Sequence, residues 1–201
     1  YRDHEKEELS FYSKATTDIE YLFPMGWGEL WGVADRTDYD LGVHMEHSGV
    51  DLRYLDPETN EKYLPYVIEP SVGLDRLLYA ILTDAYHKEK LNNGEREVLK
   101  IHPSLAPYKV TILPLIKKVH GDKAMDLYGD LAKYFMCTID TSGSIGKRYR
   151  RSDAIGTPLC ITVDDETINN DTVTVRNRDT MEQITLPISE LKDYIEDIIK
   201  F

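Results

Sequence analysis

Glu69, Ser71, Asp75 and Arg76 fall within eight residues, Glu69-Pro70-Ser71-Val72-Gly73-Leu74-Asp75-Arg76, which brings two carboxylates, a hydroxyl and a guanidinium around one turn. Such a corner is equipped to hold a ligand, and the guanidinium suits a triphosphate or the face of a flat base. Upstream, Lys62–Pro70 alternates Leu64, Tyr66 and Ile68 against Tyr63, Val67 and Glu69, the period of a strand that ends near Glu69. Downstream, Leu74, Leu77, Leu78, Ile81 and Leu82 repeat at helical spacing, and Ser71 is positioned to cap the first turn. Arg76 sits in that first turn, off the apolar stripe, where a cation opposes the helix dipole. A residue set against local preference points to a binding demand. A capped helix with a surface arginine is the plain alternative for this segment alone.

A second segment, Gly26-Trp27-Gly28-Glu29-Leu30-Trp31-Gly32-Val33-Ala34-Asp35-Arg36, reads as a strand. Strict alternation puts Trp27, Glu29, Trp31 and Val33 on one face and leaves glycines and Ala34 on the other. Glycine weakens strand interiors, so its repetition predicts close approach of a ligand or another backbone. Tight packing under a helix explains the glycines equally well, but not a glutamate lodged between two tryptophans. The tryptophans are read as sheet packing rather than as base platforms.

Together with Phe11–Pro24, His44–Gly49, Leu105–Leu115 and Gly143–Pro158, these segments resemble the bacterial-type glycyl-tRNA synthetases, which are class II aminoacyl-tRNA synthetases. The resemblance covers nearly the whole chain. EPSVGLDR is similar to the third class II signature motif, and GWGELWGVADRTDYDL points to the glycine enzyme in particular. The resemblance implies ATP-dependent activation of glycine, transfer of the glycyl group to the 3′ end of tRNA(Gly), a cytoplasmic location and a homodimeric parent protein.

Composition is compatible with this. The chain has 201 residues with 41% hydrophobic content, and no apolar run approaches the ~18 residues of a membrane span. The charged start, Tyr1 to Glu8, is no signal peptide, and a chain without an initiator methionine is expected to be cut from something longer. Cys137 and Cys160 lie in strand-like runs and are expected to be buried, reduced thiols. The net charge of −12 is lopsided: the first hundred residues hold 11 Lys and Arg against 21 Asp and Glu, and the remainder 13 against 15. Within the second half, Lys147-Arg148-Tyr149-Arg150-Arg151 gathers four cations around one aromatic, a set able to grip phosphates and stack a base. A solvated basic loop is the alternative.

The polar stretch from His87 to Pro107 carries the turn signal Asn92-Asn93-Gly94 and two prolines, which predicts a domain boundary near Leu105. Domains 1–104 and 105–201 follow. The first is read as a helix over about 3–14, a strand at 26–35, a helix from Asp38 to His47 closed by Gly49, a hairpin from 51–55 to 62–69, and the helix after Gly73. The second is read as strand 109–115, a helix over 122–136, CTIDTS, a Gly- and Arg-rich connection, TPLCITV, a hairpin through 173–176 and 183–186, and a helix from Ile188 to Ile199. The fold class is α+β. The resemblance makes the first part an antiparallel-sheet portion of a class II catalytic domain, and the second an α/β anticodon-binding domain with a mixed sheet flanked by helices.

Carried over residue by residue, the resemblance implies that Glu69, Pro70, Ser71, Val72 and Gly73 bind glycine, with Glu69 and Ser71 on its ammonium and the turn excluding larger side chains. It implies ATP contacts from Glu29, Leu30, Gly73, Leu74, Asp75 and Arg76. Glu29 and Arg76 are the catalytic candidates, Glu29 through Mg2+. Lys147, Arg148, Tyr149, Arg150 and Arg151 are the tRNA candidates. The first two class II motifs have no counterpart here, so these residues alone are expected to be inactive. The competing reading is a non-catalytic nucleic-acid-binding accessory protein, which would have no chemical reason to keep Glu29, Glu69, Ser71 and Arg76 together. No metal site is expected at His44, Glu46 and His47, whose spacing is not the i, i+4 zinc pattern. Asp164–Glu166 and Asn169–Asp171 are read as a solvated turn.

Overall fold

The computed structural model describes residues 1–91 and 94–201, and the chain divides into two compact units, Tyr1–Thr83 and Asp84–Phe201. In the first unit, β1 (Arg2–Asp3), β2 (Ala15–Phe23) and β3 (Gly26–Asp35) lead into α1 (Tyr39–Ser48). The short strands β4 (Tyr54–Leu55) and β5 (Lys62–Tyr63) form a small hairpin. They are followed by β6 (Ile68–Val72) and α2 (Leu74–Ala85). The antiparallel sheet has the order β1-β2-β3-β6.

Several expectations fail here for local reasons. No helix forms over 3–14, because Asp3-His4-Glu5-Lys6-Glu7-Glu8 has no apolar stripe to bury. Its polar side chains go to the sheet instead: His4 lies 2.8 Å and Arg2 3.7 Å from Asp18 of β2. The expected strand over 62–70 is split by Pro65, leaving β5 with β4 and β6 with β3. Glu69 is therefore an interior residue of β6. Ser71, expected as a helix cap, is still in the strand opposite Gly32. The helix before Gly49 forms as read, and Gly49 closes it in the left-handed region at φ 69°, donating to Met45 O.

In the second unit, β7 (Tyr86–Leu91) pairs with β8 (Gly94–Leu99). The chain continues through β9 (Val110–Pro114), α3 (Lys117–Leu131), β10 (Cys137–Ile139), α4 (Ile145–Ala154) and β11 (Leu159–Val163). It then runs through α5 (Asp165–Asn170), β12 (Thr172–Asn177), β13 (Gln183–Pro187) and α6 (Leu191–Ile199). The sheet order is β10-β9-β11-β12-β13, parallel across the first three strands and antiparallel across the last three, the mixed sheet expected. Its main core packs Ala124, Leu127 and Leu131 of α3 and Leu191 and Ile195 of α6 against Val110, Ile112, Leu159 and Ile161. On the other face lies α4, whose Tyr149 hydroxyl meets Thr162 Oγ1 at 2.8 Å.

The division between units falls about twenty residues before Leu105, because the 86–99 hairpin is built into the second unit. Arg96 and Val98 of β8 are buried, and Arg96 Nη1 donates to Asp153 of α4 at 3.1 Å and to Arg178 O at 2.7 Å. Of the expected Asn92-Asn93-Gly94 turn, Asn92 and Asn93 lie outside the described residues. The third helix starts and ends five residues earlier than read. The stretch 164–171 is a capped helix rather than a turn, with Asp164 and Thr167 forming a reciprocal capping box and Thr167 fully buried. Cys137 and Cys160 are free and buried as expected, and burial pushes their thiols up to about 11 and about 12.

Candidate functional site

The site in the first unit is built on the register of β2, β3 and β6. Thr16 pairs with Ala34, Ala34 with Glu69, Asp18 with Gly32 and Gly32 with Ser71, so Thr16, Asp18, Gly32, Ala34, Glu69 and Ser71 share one face. Between Ile19 and Glu20 the register shifts, Ile19 facing Trp31 while Glu20 faces Glu29. The extra residue, Leu30, makes a bulge in β3 and reverses the alternation before it. Glu29 thus joins the Gly32 and Ala34 face and not, as strict alternation predicts, the face of Trp31 and Val33. Trp27 is 69% exposed and is not sheet packing.

These side chains line a cavity of about 330 Å³, with Glu29, Glu69 and Ser71 joined by Asp18, His4 and Glu8. At Gly32 the neighbours are side chains rather than another backbone: a Cβ there would stand 3.4 Å from Glu29 Oε1 and 3.6 Å from Asp18 Oδ1, and nothing lies within 4 Å of one on Gly26. Arg76 reaches back from α2, its Nη1 donating to Glu29 O and lying 3.5 Å from Glu29 Oε2. Arg36 was not singled out by sequence reading, yet it fixes Glu69, with Nη1 2.6 Å from Glu69 Oε2 and Nε and Nη2 on Asp40 at 2.6 and 2.9 Å. Its guanidinium stacks 4.0 Å over Tyr12. Asp40 and Glu69 hold the Arg36 guanidinium protonated well above its ordinary range, and Arg36 holds the Asp40 carboxyl below its own. The i, i+4 spacing of Arg36 and Asp40 was a visible signal, but the Glu69 contact was not. Arg2, Arg36 and Arg76 each meet a wall carboxylate, but Arg36 is shared with Asp40, so apart from His4 the four wall acids and Asp40 exceed these three cations by two charges. The cavity is lined by an excess of carboxylate over cationic groups.

Not every candidate residue reaches it. Because side chains alternate along β6, Pro70 and Val72 leave the cavity, and Gly73, Leu74 and Asp75 do not line it. Leu30 is the bulge residue. Among the described residues no group of three His, Cys, Asp or Glu is arranged to hold a metal, at His44, Glu46 and His47 or elsewhere.

In the second unit the basic cluster is not a loop but the body of α4. Its members separate by role. Arg148 is buried and structural, donating to Pro114 O at 2.7 Å and to Gly143 O at 3.0 and 2.8 Å. Arg151 is exposed but paired with Asp140 at 2.6 Å. Burial works against the charge on Asp140, but the Ser142 N–H and Arg151 hold its carboxyl below the ordinary range. Lys147, Tyr149 and Arg150 line an open hollow of about 500 Å³ together with Arg176 of β12, Met181 and Gln183. Arg176, missed by sequence reading, lies 4.8 Å from the Tyr149 ring and is anchored on Asp153 at 2.8 and 3.1 Å.

A family profile described as "Anticodon binding domain" matches residues 109–198. Over all 201 residues the chain is 62% identical to a glycine–tRNA ligase of Clostridium tetani, and over 200 residues it is 60% identical to one of Bacillus cereus. In each case it covers 43% of the relative's length. A crystal structure described as the RNA binding domain of threonyl-tRNA synthetase from Cryptosporidium parvum superposes on 95% of this chain and 44% of its own, with TM-score 0.68 and 19% identity, a likeness of fold. Residues 109–198 thus match the anticodon binding domain family, and the chain along its whole length is similar to a part, under half, of the glycine–tRNA ligases.

Proposed function

We propose that the chain is part of a glycine–tRNA ligase, in which the cavity of the first unit takes glycine and the nucleotide and α4 of the second unit contacts tRNA(Gly). The observation that carries this reading is the convergence of Glu29, Glu69 and Ser71 on one cavity with Arg76 against Glu29. Glu69, oriented by Arg36, and Ser71 hold the substrate ammonium. Arg76 stacks on adenine and meets the γ-phosphate, and positioning with charge neutralisation supplies most of the rate when the glycine carboxylate attacks the α-phosphate. Magnesium travels with the nucleotide and neutralises phosphate charge. Glu29 would offer such an ion a single hard carboxylate.

The parent protein is proposed to be cytoplasmic and homodimeric. Leu74, Leu78 and Leu82 of α2 are exposed in these 201 residues, and the rest of the longer polypeptide is proposed to cover them. The test is aminoacylation of tRNA by the longer protein with each candidate amino acid, beside ATP–pyrophosphate exchange by the 201-residue chain. Glycine alone should be charged, and the shorter chain should show no glycine-dependent exchange. Charging of another amino acid in preference to glycine would refute the assignment, and exchange by the shorter chain would refute the division of labour.

A further inference from the structure

The four carboxylates around the cavity of the first unit are not equivalent. Glu8 pairs with Arg2, and its Oε2 accepts from Glu5 N at 3.0 Å. Glu69 is held by Arg36, and Glu29 Oε2 lies 3.5 Å from Arg76. The side chains of these three are between 40% and 52% exposed. Asp18 differs on both counts. Its side chain is only 9% exposed, and the Arg2 guanidinium stands 3.7 Å from its Oδ2, beyond hydrogen-bond length. His4 Nε2 engages that same Oδ2 at 2.8 Å, while Oδ1 has no hydrogen-bond partner among the described residues. A buried carboxylate oxygen left without a donor is costly, and one that borders a cavity calls for a donor from outside the chain.

The sheet register fixes where that donor enters. Asp18 of β2 faces Gly32 of β3, which faces Ser71 of β6, so along this row the middle strand carries no side chain. The bulge at Leu30 turns Glu29 onto the same face. The position of a Cβ on Gly32 is 3.4 Å from Glu29 Oε1 and 3.6 Å from Asp18 Oδ1, so the space above Gly32 is bordered by two carboxylate oxygens and floored by backbone. An ammonium bonds carboxylates at about 2.7–2.9 Å, and a nitrogen above Gly32 comes within reach of both. His4 supports this from behind. β1 pairs Arg2 with Asp18 and Asp3 with Thr17, and His4 N then donates to Thr16 O at 2.9 Å, which sets the ring on Oδ2 and leaves Oδ1 to the gap.

We propose that Asp18 is a ligand of the substrate ammonium: its free Oδ1 accepts from the ammonium above Gly32, beside Ser71 and Glu29, and His4 acts through Asp18 as its positioning residue. This rests on the reading of the cavity as the glycine site, and it adds to the half-exposed Glu69 a carboxylate whose burial strengthens an ion pair that solvent would otherwise weaken. The bare backbone at Gly32 is then a requirement of binding, since a side chain there takes the place of the ammonium. The test is glycine-dependent ATP–pyrophosphate exchange by the longer protein, with the KM for glycine and the KM for ATP measured separately. The variants are Asp18→Asn, Gly32→Ala, His4→Ala and His4→Gln, with Glu69→Gln beside them.

Asp18→Asn removes the charge at constant shape and should lower kcat/KM for glycine about tenfold to a hundredfold, with the KM for ATP unchanged. Gly32→Ala, whose methyl meets its neighbours at ordinary contact distance, should fold normally and lower the same ratio about tenfold. His4→Ala should raise the KM for glycine about threefold to tenfold, and His4→Gln, which keeps an N–H donor, should restore most of it. A fall in melting temperature with both KM values moving together, and no rescue by His4→Gln, would overturn the positioning role. If Glu69→Gln impairs glycine use while Asp18→Asn and Gly32→Ala leave it unchanged, the role of Asp18 is refuted and the glycine site stands. If all three leave it unchanged, both fall. Should Asp18→Asn fail to fold, Gly32→Ala decides alone, and unaltered glycine kinetics in that variant refutes the proposal.

Discussion

In the longer protein, Arg76→Ala is expected to lower glycine-dependent pyrophosphate exchange by roughly a hundredfold to a thousandfold, about 2.7–4 kcal/mol, the range for removing one preorganised electrostatic contact to a transition state. The guanidinium is half exposed and its partners are Glu29 O and Glu29 Oε2, so little of that loss should come through stability. Arg76→Lys discriminates between charge and shape. Lysine keeps the charge but neither the planar face for a base nor the fork, and exchange should recover by no more than a small part of the deficit. Thermal unfolding of both variants should match the parent protein within a few degrees. A comparable loss of melting temperature would mean that Arg76 serves mainly to tie α2 to β3.

The second large effect concerns the fold. Asp153 is completely buried and accepts from Arg176 at 2.8 and 3.1 Å and from Arg96 at 3.1 Å, two guanidiniums that are themselves buried. Asp153→Ala leaves Arg176 without its carboxylate in a low-dielectric interior, while Arg96 keeps only Glu89, 2.6 Å from its Nε. The expected cost is about 3–5 kcal/mol, the range for breaking a buried pair by removing one partner. Asp140→Asn, which opens the exposed pair with Arg151, should cost only about 0.2–1 kcal/mol. Amide hydrogen exchange of β9 and β11 reads this unit directly, and in Asp153→Ala protection there should fall by a factor of roughly a hundred or more. Because Arg176 is anchored by Asp153 and borders the Lys147 hollow, this variant should also weaken RNA binding.

What could be read from residues alone was that these groups gather, and what could not was their wiring. Glu29, Glu69 and Ser71 line one cavity, and Arg76, which does not line it, lies against Glu29. Arg36 was invisible as the orienting partner of Glu69, since thirty-three positions separate them and only the pairing of β3 with β6 brings them together. Strict alternation places Glu29 on the wrong face, since the bulge between its strand and β2 has no reliable mark in a single sequence. α4 was read as a connection since its buried face is polar: Arg148, Ser152 and Asp153 take the places that apolar residues hold in an ordinary amphipathic helix. The same polarity hid the 86–99 hairpin, whose buried arginine is satisfied by α4 rather than by water. Where burial was apolar, as on α3, α6 and β9 through β12, hydrophobic periodicity carried the reading.

The most direct test of the ammonium cradle is the glycine dependence of pyrophosphate exchange in the longer protein with Glu69→Gln, a change that keeps shape and removes one charge while Asp40 still holds Arg36. The account predicts that kcat/KM for glycine falls at least about a hundredfold, as for loss of a charged hydrogen-bonding partner, with the KM for ATP essentially unchanged. Unaltered glycine kinetics in that variant would contradict it.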